Sequence, residues 1–429
     1  MKKEKNKKYD GGITLIALVV TVVVLLILAG VSLNLVIGNE GILTRSKEAV
    51  DKYGKQAENE QQALNDIEDW MDEQFGDTGM KKVTVNTKAT KNGTIDGKEP
   101  NINNPIIPKG YTPINSGNAT WGDGSSSPAQ SSIDNGLVIK DDNNNEWVWV
   151  PVEASTLSSM YVTSNDGIAL YGDVGVTTKM YTKTTTIGRT GDTKTLSRST
   201  PNTTDYREPD LVVGRDSTSY DKNESYYKTI LGFDSPKAMA EAFTIDYANM
   251  IASIQKYGGF YIGRYELSIE GVQKGKATLT DTNWYDLYKK CTTLNASDKV
   301  ESKMIWGIQW DLACDFISKK GEQKSITNSN TWGNYADSTG NAAVMNGTTK
   351  MYGNKQVTGF SEYWKANNIY DLAGNCWEWT QGADNTGYRV GRGGRCGRNG
   401  SGYPASDRVN GSANNGGDST CSRPTLIIK

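Results

Sequence analysis

The sequence predicts an α+β head held out behind an N-terminal membrane helix, and three features predict it. An apolar run at positions 13–37 follows a cluster of lysines. Apolar residues recur at helical spacing in 42–75 and 236–257, and short β-rich strings at 137–139, 147–151 and 259–266 are set off by Asn, Asp and Gly turns. At 429 residues the chain has room for an anchor, a stalk and one large head.

The lysines are Lys2, Lys3, Lys5, Lys7 and Lys8, followed by Gly11-Gly12, and the apolar run is interrupted only by Thr14, Thr21, Gly30, Ser32 and Asn34. At about 1.5 Å per residue such a helix spans a bilayer with some tilt. Lysines before it stay cytoplasmic, so everything after Ile37 is expected outside, as a single-pass cell-membrane protein. A secretory signal cut near Leu28-Ala29-Gly30 is the competing reading, but the run is long for one and no Ala-x-Ala follows. The string Gly12-Ile13-Thr14-Leu15-Ile16-Ala17-Leu18-Val19-Val20 resembles the prepilin cleavage region of type IV pilins. The resemblance implies a basic leader at 1–12, processing between Gly12 and Ile13, a pilin-like helix at 13–37, and pilus subunits as candidate partners. Ala17 departs from it, because pilins usually carry glutamate there. Beyond the membrane, Leu43, Ala49, Val50, Ala57, Leu64, Ile67 and Met71 form a loose apolar stripe that stops at Gly76-Asp77, a helical stalk over 38–76. Residues 77–136, rich in Asn, Thr, Gly, Ser and Pro, read as a polar linker, with packing expected to begin at Leu137.

Composition narrows the chemistry. Histidine is absent, which removes the commonest general base and metal ligand and every Ser-His or Cys-His pair. The five cysteines, Cys291, Cys314, Cys376, Cys396 and Cys421, include no C-x-x-C pair, so no metal and no cofactor is expected. A net charge of -2 gives no basic field, and no nucleic-acid partner is expected.

Within the head, 137–139 and 147–151 read as a hairpin around Asp141-Asp142-Asn143-Asn144-Asn145-Glu146. That string lacks the glycine and distal glutamate of a calcium loop and reads as a plain turn. Glu99-Pro100-Asn101 matches a lectin sugar-binding tripeptide but falls in the expected linker and reads as coincidence. The Thr-rich stretch 155–234 reads as an insertion. Met239, Ala242, Phe243, Ile245, Met250, Ile251 and Ile254 mark a helix stopped by Gly258-Gly259, a strand follows at 259–266, and 304–317 leads into another helix. Last comes Asp371-Leu372-Ala373-Gly374-Asn375-Cys376-Trp377-Glu378-Trp379, followed by Arg392-Gly393-Gly394, with Trp377 and Trp379 alternating on a strand after a Gly374 turn. In order, these strings resemble the formylglycine-generating enzyme family from about Ile107 to the C-terminus. The resemblance implies a C-type-lectin-like α+β head at 137–429.

The family's enzymes carry a cysteine pair five residues apart after the Arg-Gly-Gly strand; here Cys396 is met by Ser401 at that spacing. Its iron-using members need histidines. The expectation is therefore a binder and not an enzyme, the alternatives being a divergent oxidoreductase using Cys396 or a structural minor pilin. The C-terminal stretch 389–424 resembles the variable proteins of diversity-generating retroelements, in which adenines of asparagine codons are rewritten within a fixed framework. Arg389-Val390, Arg392-Gly393-Gly394, Gly400-Ser401, Pro404-Ala405-Ser406, Arg408 and Arg423-Pro424 read as framework. Gly391, Arg395, Cys396, Arg398, Gly402, Tyr403, Asp407, Val409, Asn410, Gly411 and Ser412 read as variable, ligand-binding positions. Cys421-Ser422 departs, since relatives often have Gly-Phe there. Asparagine codons ending in a pyrimidine cannot become Lys, Glu, Gln, Met or Trp codons, and none of these occurs from Arg389 to Ile428. Arg395, Arg398, Tyr403 and Asp407 are expected on one exposed surface that binds a protein or glycan on a cell or phage surface, in adhesion or receptor binding.

Overall fold

The computed structural model describes residues 80–169, 177–182, 206–207, 223–295, 299–384 and 388–429. The leader, Gly12, Ile13, the 13–37 run and the stalk lie outside the described residues, as does most of the 155–234 insertion. Among the described residues no helix is long and apolar enough to cross a membrane.

The head is mixed α+β and is organised on a six-stranded antiparallel sheet. Its strands are β1 (Thr112–Ile114), β2 (Val138–Lys140), β3 (Glu146–Pro151), β4 (Gly259–Gly263), β5 (Val300–Met304) and, at the C-terminus, β10 (Pro424–Ile428). Their order is β5-β10-β4-β3-β2-β1. A second sheet holds β6 (Trp377–Asp384), β7 (Arg389–Arg392), β8 (Arg408–Gly411) and β9 (Thr420–Ser422) in the order β8-β7-β6-β9, with the short strand Tyr206–Arg207 also on β6. Here β9 runs parallel to β6 and the other pairings are antiparallel.

Alternation along the strands splits the first sheet into two apolar faces. Val148, Val150, Phe260 and Ile262 face one core cluster, while Trp147, Trp149 and Tyr261 face another. The first face is covered by helices α3 (Pro236–Tyr257), α4 (Trp284–Thr292) and α5 (Gly307–Lys319), which follow α1 (Gln130–Asp134) and α2 (Ala154–Met160) in the chain. Helix α3 starts where the Ser235 side chain accepts the Ala238 N–H and stops where Gly258 turns left-handed at φ 74°, as its pattern predicts.

The second face overturns the linker expectation. Val83, Ala89, Ile95, Ile106, Ile107, Tyr111, Ala119 and Trp121 are buried against it, and the compact unit runs from Gly79, not Leu137. These side chains are spaced singly among turn residues, so no periodicity announces them, yet a two-faced sheet must be covered on both sides. The Asp141 turn holds its own carboxylate: Oδ1 accepts the Asn143 and Asn145 N–H groups, each at 2.9 Å, the arrangement of a plain Asx turn. Helix α4 carries no expectation from the sequence; it lies in a short amphipathic stretch.

Candidate ligand-binding face

The second sheet positions the 389–424 stretch. Trp377 and Trp379 project from one face of β6, and Glu378 between them projects from the other. Glu378 is fully buried and receives Arg423 in a two-point ion pair at 2.6 and 2.8 Å, while the same guanidinium donates to the Gly263 and Tyr370 carbonyls. On the same side Asp311 of α5 accepts Arg392 from β7 at 2.6 Å and Arg408 from β8 at 2.5 and 2.6 Å, all three side chains buried. Arg389 lies 3.9 Å over the Trp284 ring. These arginines tie the strands to the helices from beneath.

The loop between β7 and β8 is clamped through its backbone. Gly393 C=O accepts the Tyr335 hydroxyl at 2.7 Å and the Gly374 N–H at 2.8 Å, Arg398 C=O accepts the Ala336 N–H at 2.8 Å, and Gly400 N–H donates to Asp337 at 2.7 Å. Gly393 and Gly394 have φ of 85° and 77°, and a Cβ on Gly394 would stand 2.2 Å from the Tyr403 carbonyl oxygen, so a glycine is required there. The main chain is thus fixed, with Arg398 exposed and Arg395 and Tyr403 half-buried.

Twelve of the thirteen framework positions are buried, Ser401 being the exception, whereas of the eleven candidate variable positions only Gly391, Cys396 and Asp407 are. Arg398 lies over the Tyr403 ring, 5.1 Å from its centroid, and Tyr403 meets Trp377 edge-on at 5.8 Å. Trp377 itself is only 9% exposed, so it underlies the patch. A second group sits at the β7–β8 edge, where Gly391 pairs with Val409. A Cβ on Gly391 would approach the Val409 side chain at 3.2 Å, and one on Gly411 would approach the Trp379 ring at 2.7 Å. Asn410 is exposed and Val409, Gly411 and Ser412 are half-buried. Arg395 and Gly402 are also half-buried.

Asp407 is a correction: it is 1% exposed and does not join an exposed surface. Its N–H closes a turn on the Pro404 carbonyl and its own carbonyl accepts Arg392 Nε at 2.9 Å, so the residue belongs to the frame. Cys396 is 6% exposed; burial pushes its thiol up, with the nearby Arg395 guanidinium opposing. A groove of about 270 Å³ between Ile102, Pro151, Glu153 and the C-terminal end of α5 contains none of the candidate positions.

No family model and no curated protein matches the chain. Among solved structures it is similar to Treponema denticola variable protein 1, at 14% identity over 66% of this chain and 95% of that one, with a TM-score of 0.24, a likeness too small to assign a family.

Proposed function

We propose that the head is a ligand-binding module whose site is the face formed by 395–403 and the 409–412 strand edge, diversified in sequence on a fixed frame of C-type-lectin-like type. The partition of buried framework from accessible candidate positions carries this reading. A binder that tolerates replacement must keep packing and contact separate, with stability beneath and recognition on the loops. The raised Cys396 thiol supports binding over thiol oxidation. The partner is a protein or glycan on a cell or phage surface, and the 13–37 apolar run is the candidate membrane anchor.

The test uses residues 79–429, because a cut at Leu137 would remove the second core cluster. After a ligand is selected from host and bacterial surface material, Arg395, Arg398 and Tyr403 are replaced together by alanine. Losing two hot spots of about 2 kcal/mol each weakens binding by nearly a thousandfold, while melting is expected to stay close to the parent's. Undiminished binding with a lowered melting temperature would move these residues to the frame. Independently, a near-copy of the 389–423 coding stretch beside a reverse-transcriptase gene, with adenines at the candidate codons, is the expected genomic neighbour.

A further inference from the structure

We propose that Cys376, Cys421 and Glu266 form a zinc site beneath this face. The three residues come from different elements: Glu266 from the segment leaving β4, Cys376 immediately before β6, and Cys421 from β9. All are fully buried, and their two sulfurs and one carboxylate oxygen lie within 4.8 Å of one another. The cysteines are 45 positions apart in sequence, which is why no short motif announces them.

Glu266 is oriented as a ligand's carboxylate usually is. Its Oε2 accepts Thr278 Oγ1 at 2.8 Å and Asn375 Nδ2 at 2.5 Å, and its Oε1 accepts the Cys376 N–H at 3.0 Å. Oε1 therefore keeps a lone pair while neighbouring donors hold the group still. A buried pair of thiolates beside a carboxylate selects zinc over the hard cations, with Zn–S near 2.3 Å and Zn–O near 2.0–2.2 Å.

A disulfide fits the same thiols less well. Cys421 is paired with Glu378, and the Trp377 N–H bonds to Ser419, so Cys376 and Cys421 are displaced diagonally across neighbouring strands. Both thiols are free and within hydrogen-bonding reach of each other, and the Glu266 carboxylate that completes the cluster is a donor for a metal and has no part in a disulfide. On binding, each coordinating thiol gives up its proton and bonds to the ion, so uptake releases protons and weakens as pH falls. The site would pin β9 and the Gly374-Asn375-Cys376 turn to the loop that carries Arg395 and Arg398. It rests on this geometry alone, independent of the binding reading.

The full chain, purified under reductant and dialysed after exposure to zinc, is expected to retain about one zinc per chain. Cobalt(II) in its place is expected to give tetrahedral ligand-field bands and thiolate charge-transfer absorption. Cys376→Ser and Cys421→Ser should each weaken metal retention by at least about tenfold, with Cys314→Ser as the comparison that leaves the cobalt spectrum intact. Should the serine variants fold poorly, the wild-type melting temperature still reports, rising with added zinc. A chain that retains no zinc, cobalt spectra without thiolate bands, or a Cys376–Cys421 disulfide peptide recovered from unreduced protein would each overturn the site.

Discussion

Six arginines fall between 389 and 423, and they divide into two populations. Arg389, Arg392, Arg408 and Arg423 are each less than 2% exposed, whereas Arg395 is half-buried and Arg398 is exposed. Arg389, Arg392, Arg395 and Arg398 even share a constant spacing of three, so neither residue type nor periodicity separates them. The backbone does. Strand β7 ends at Arg392, and Gly393-Gly394, with positive φ at both residues, turns the chain out of the sheet before Arg395. Arg389 and Arg392 ahead of the turn, and Arg408 and Arg423 back on the strands, meet a carboxylate, a carbonyl or an indole face; of the two on the loop, Arg398 lies over Tyr403 and is exposed. The same side chain thus acts as a structural tie in one place and a candidate contact in the other.

The largest expected effect comes from breaking a tie. Asp311 is shared by Arg392 and Arg408 in a buried site, and Asp311→Ala takes that carboxylate from two guanidinium charges. Such a loss costs about 3–5 kcal/mol, read as a lowered urea midpoint. A variant as stable as the parent would mean that the buried arginines need no counter-charge.

The buried carboxylates around Arg423 give the next effect. Burial raises the Asp371 carboxyl to about 7, the Gly359 N–H and Arg423 opposing and Glu378 adding to the rise. A folded-state value above the unfolded one of about 3.9 means that the stabilisation is complete below the unfolded value and is lost as pH rises through about 7. The head is therefore expected to lose stability between about pH 4 and pH 7, on the order of 4 kcal/mol at most, and Asp371→Asn should flatten that slope. An unchanged slope in the variant would assign it to another group. Gly394→Ala is expected to cost roughly 1–3 kcal/mol, because it strains the turn and its Cβ meets the Tyr403 carbonyl. It should also weaken binding by moving the loop, which sharpens the contrast between the two sides of the turn.

The parts of this architecture legible in the sequence are those with strong local signals. Helix α3 carries helical spacing, a serine cap and a glycine stop, and the β2–β3 hairpin carries two β-rich strings around an Asn/Asp turn. Framework arginines were legible through a resemblance, not through their type. The 80–136 segment was not legible, because isolated Ile95, Ile107 and Trp121 become core only when a sheet face far along the chain needs covering. Asp407 misled for a related reason: an acidic residue among loop residues reads as exposed, yet its main chain is held by Arg392, fifteen positions away. The Glu266, Cys376 and Cys421 cluster is also non-local, since it exists only once β9 pairs with β6.

The smallest effects on stability belong to the outward pair. Arg395→Ala removes a half-buried side chain with no carboxylate partner among the described residues, so its melting temperature should stay within the range of ordinary surface changes, about ±0.5 kcal/mol. Arg398→Ala also gives up the contact with the Tyr403 ring, worth about 0.5–1 kcal/mol at an exposed position, and should be slightly the more costly. Because the Arg398 carbonyl and not its side chain fastens the loop to Ala336, the main-chain clamp survives either change. Thermal melting of the two variants beside Asp311→Ala measures the whole contrast in one series. If Arg395→Ala or Arg398→Ala fell by more than about 2 kcal/mol, that arginine would join the buried ties, and the recognition surface would have to be drawn at the 409–412 edge instead.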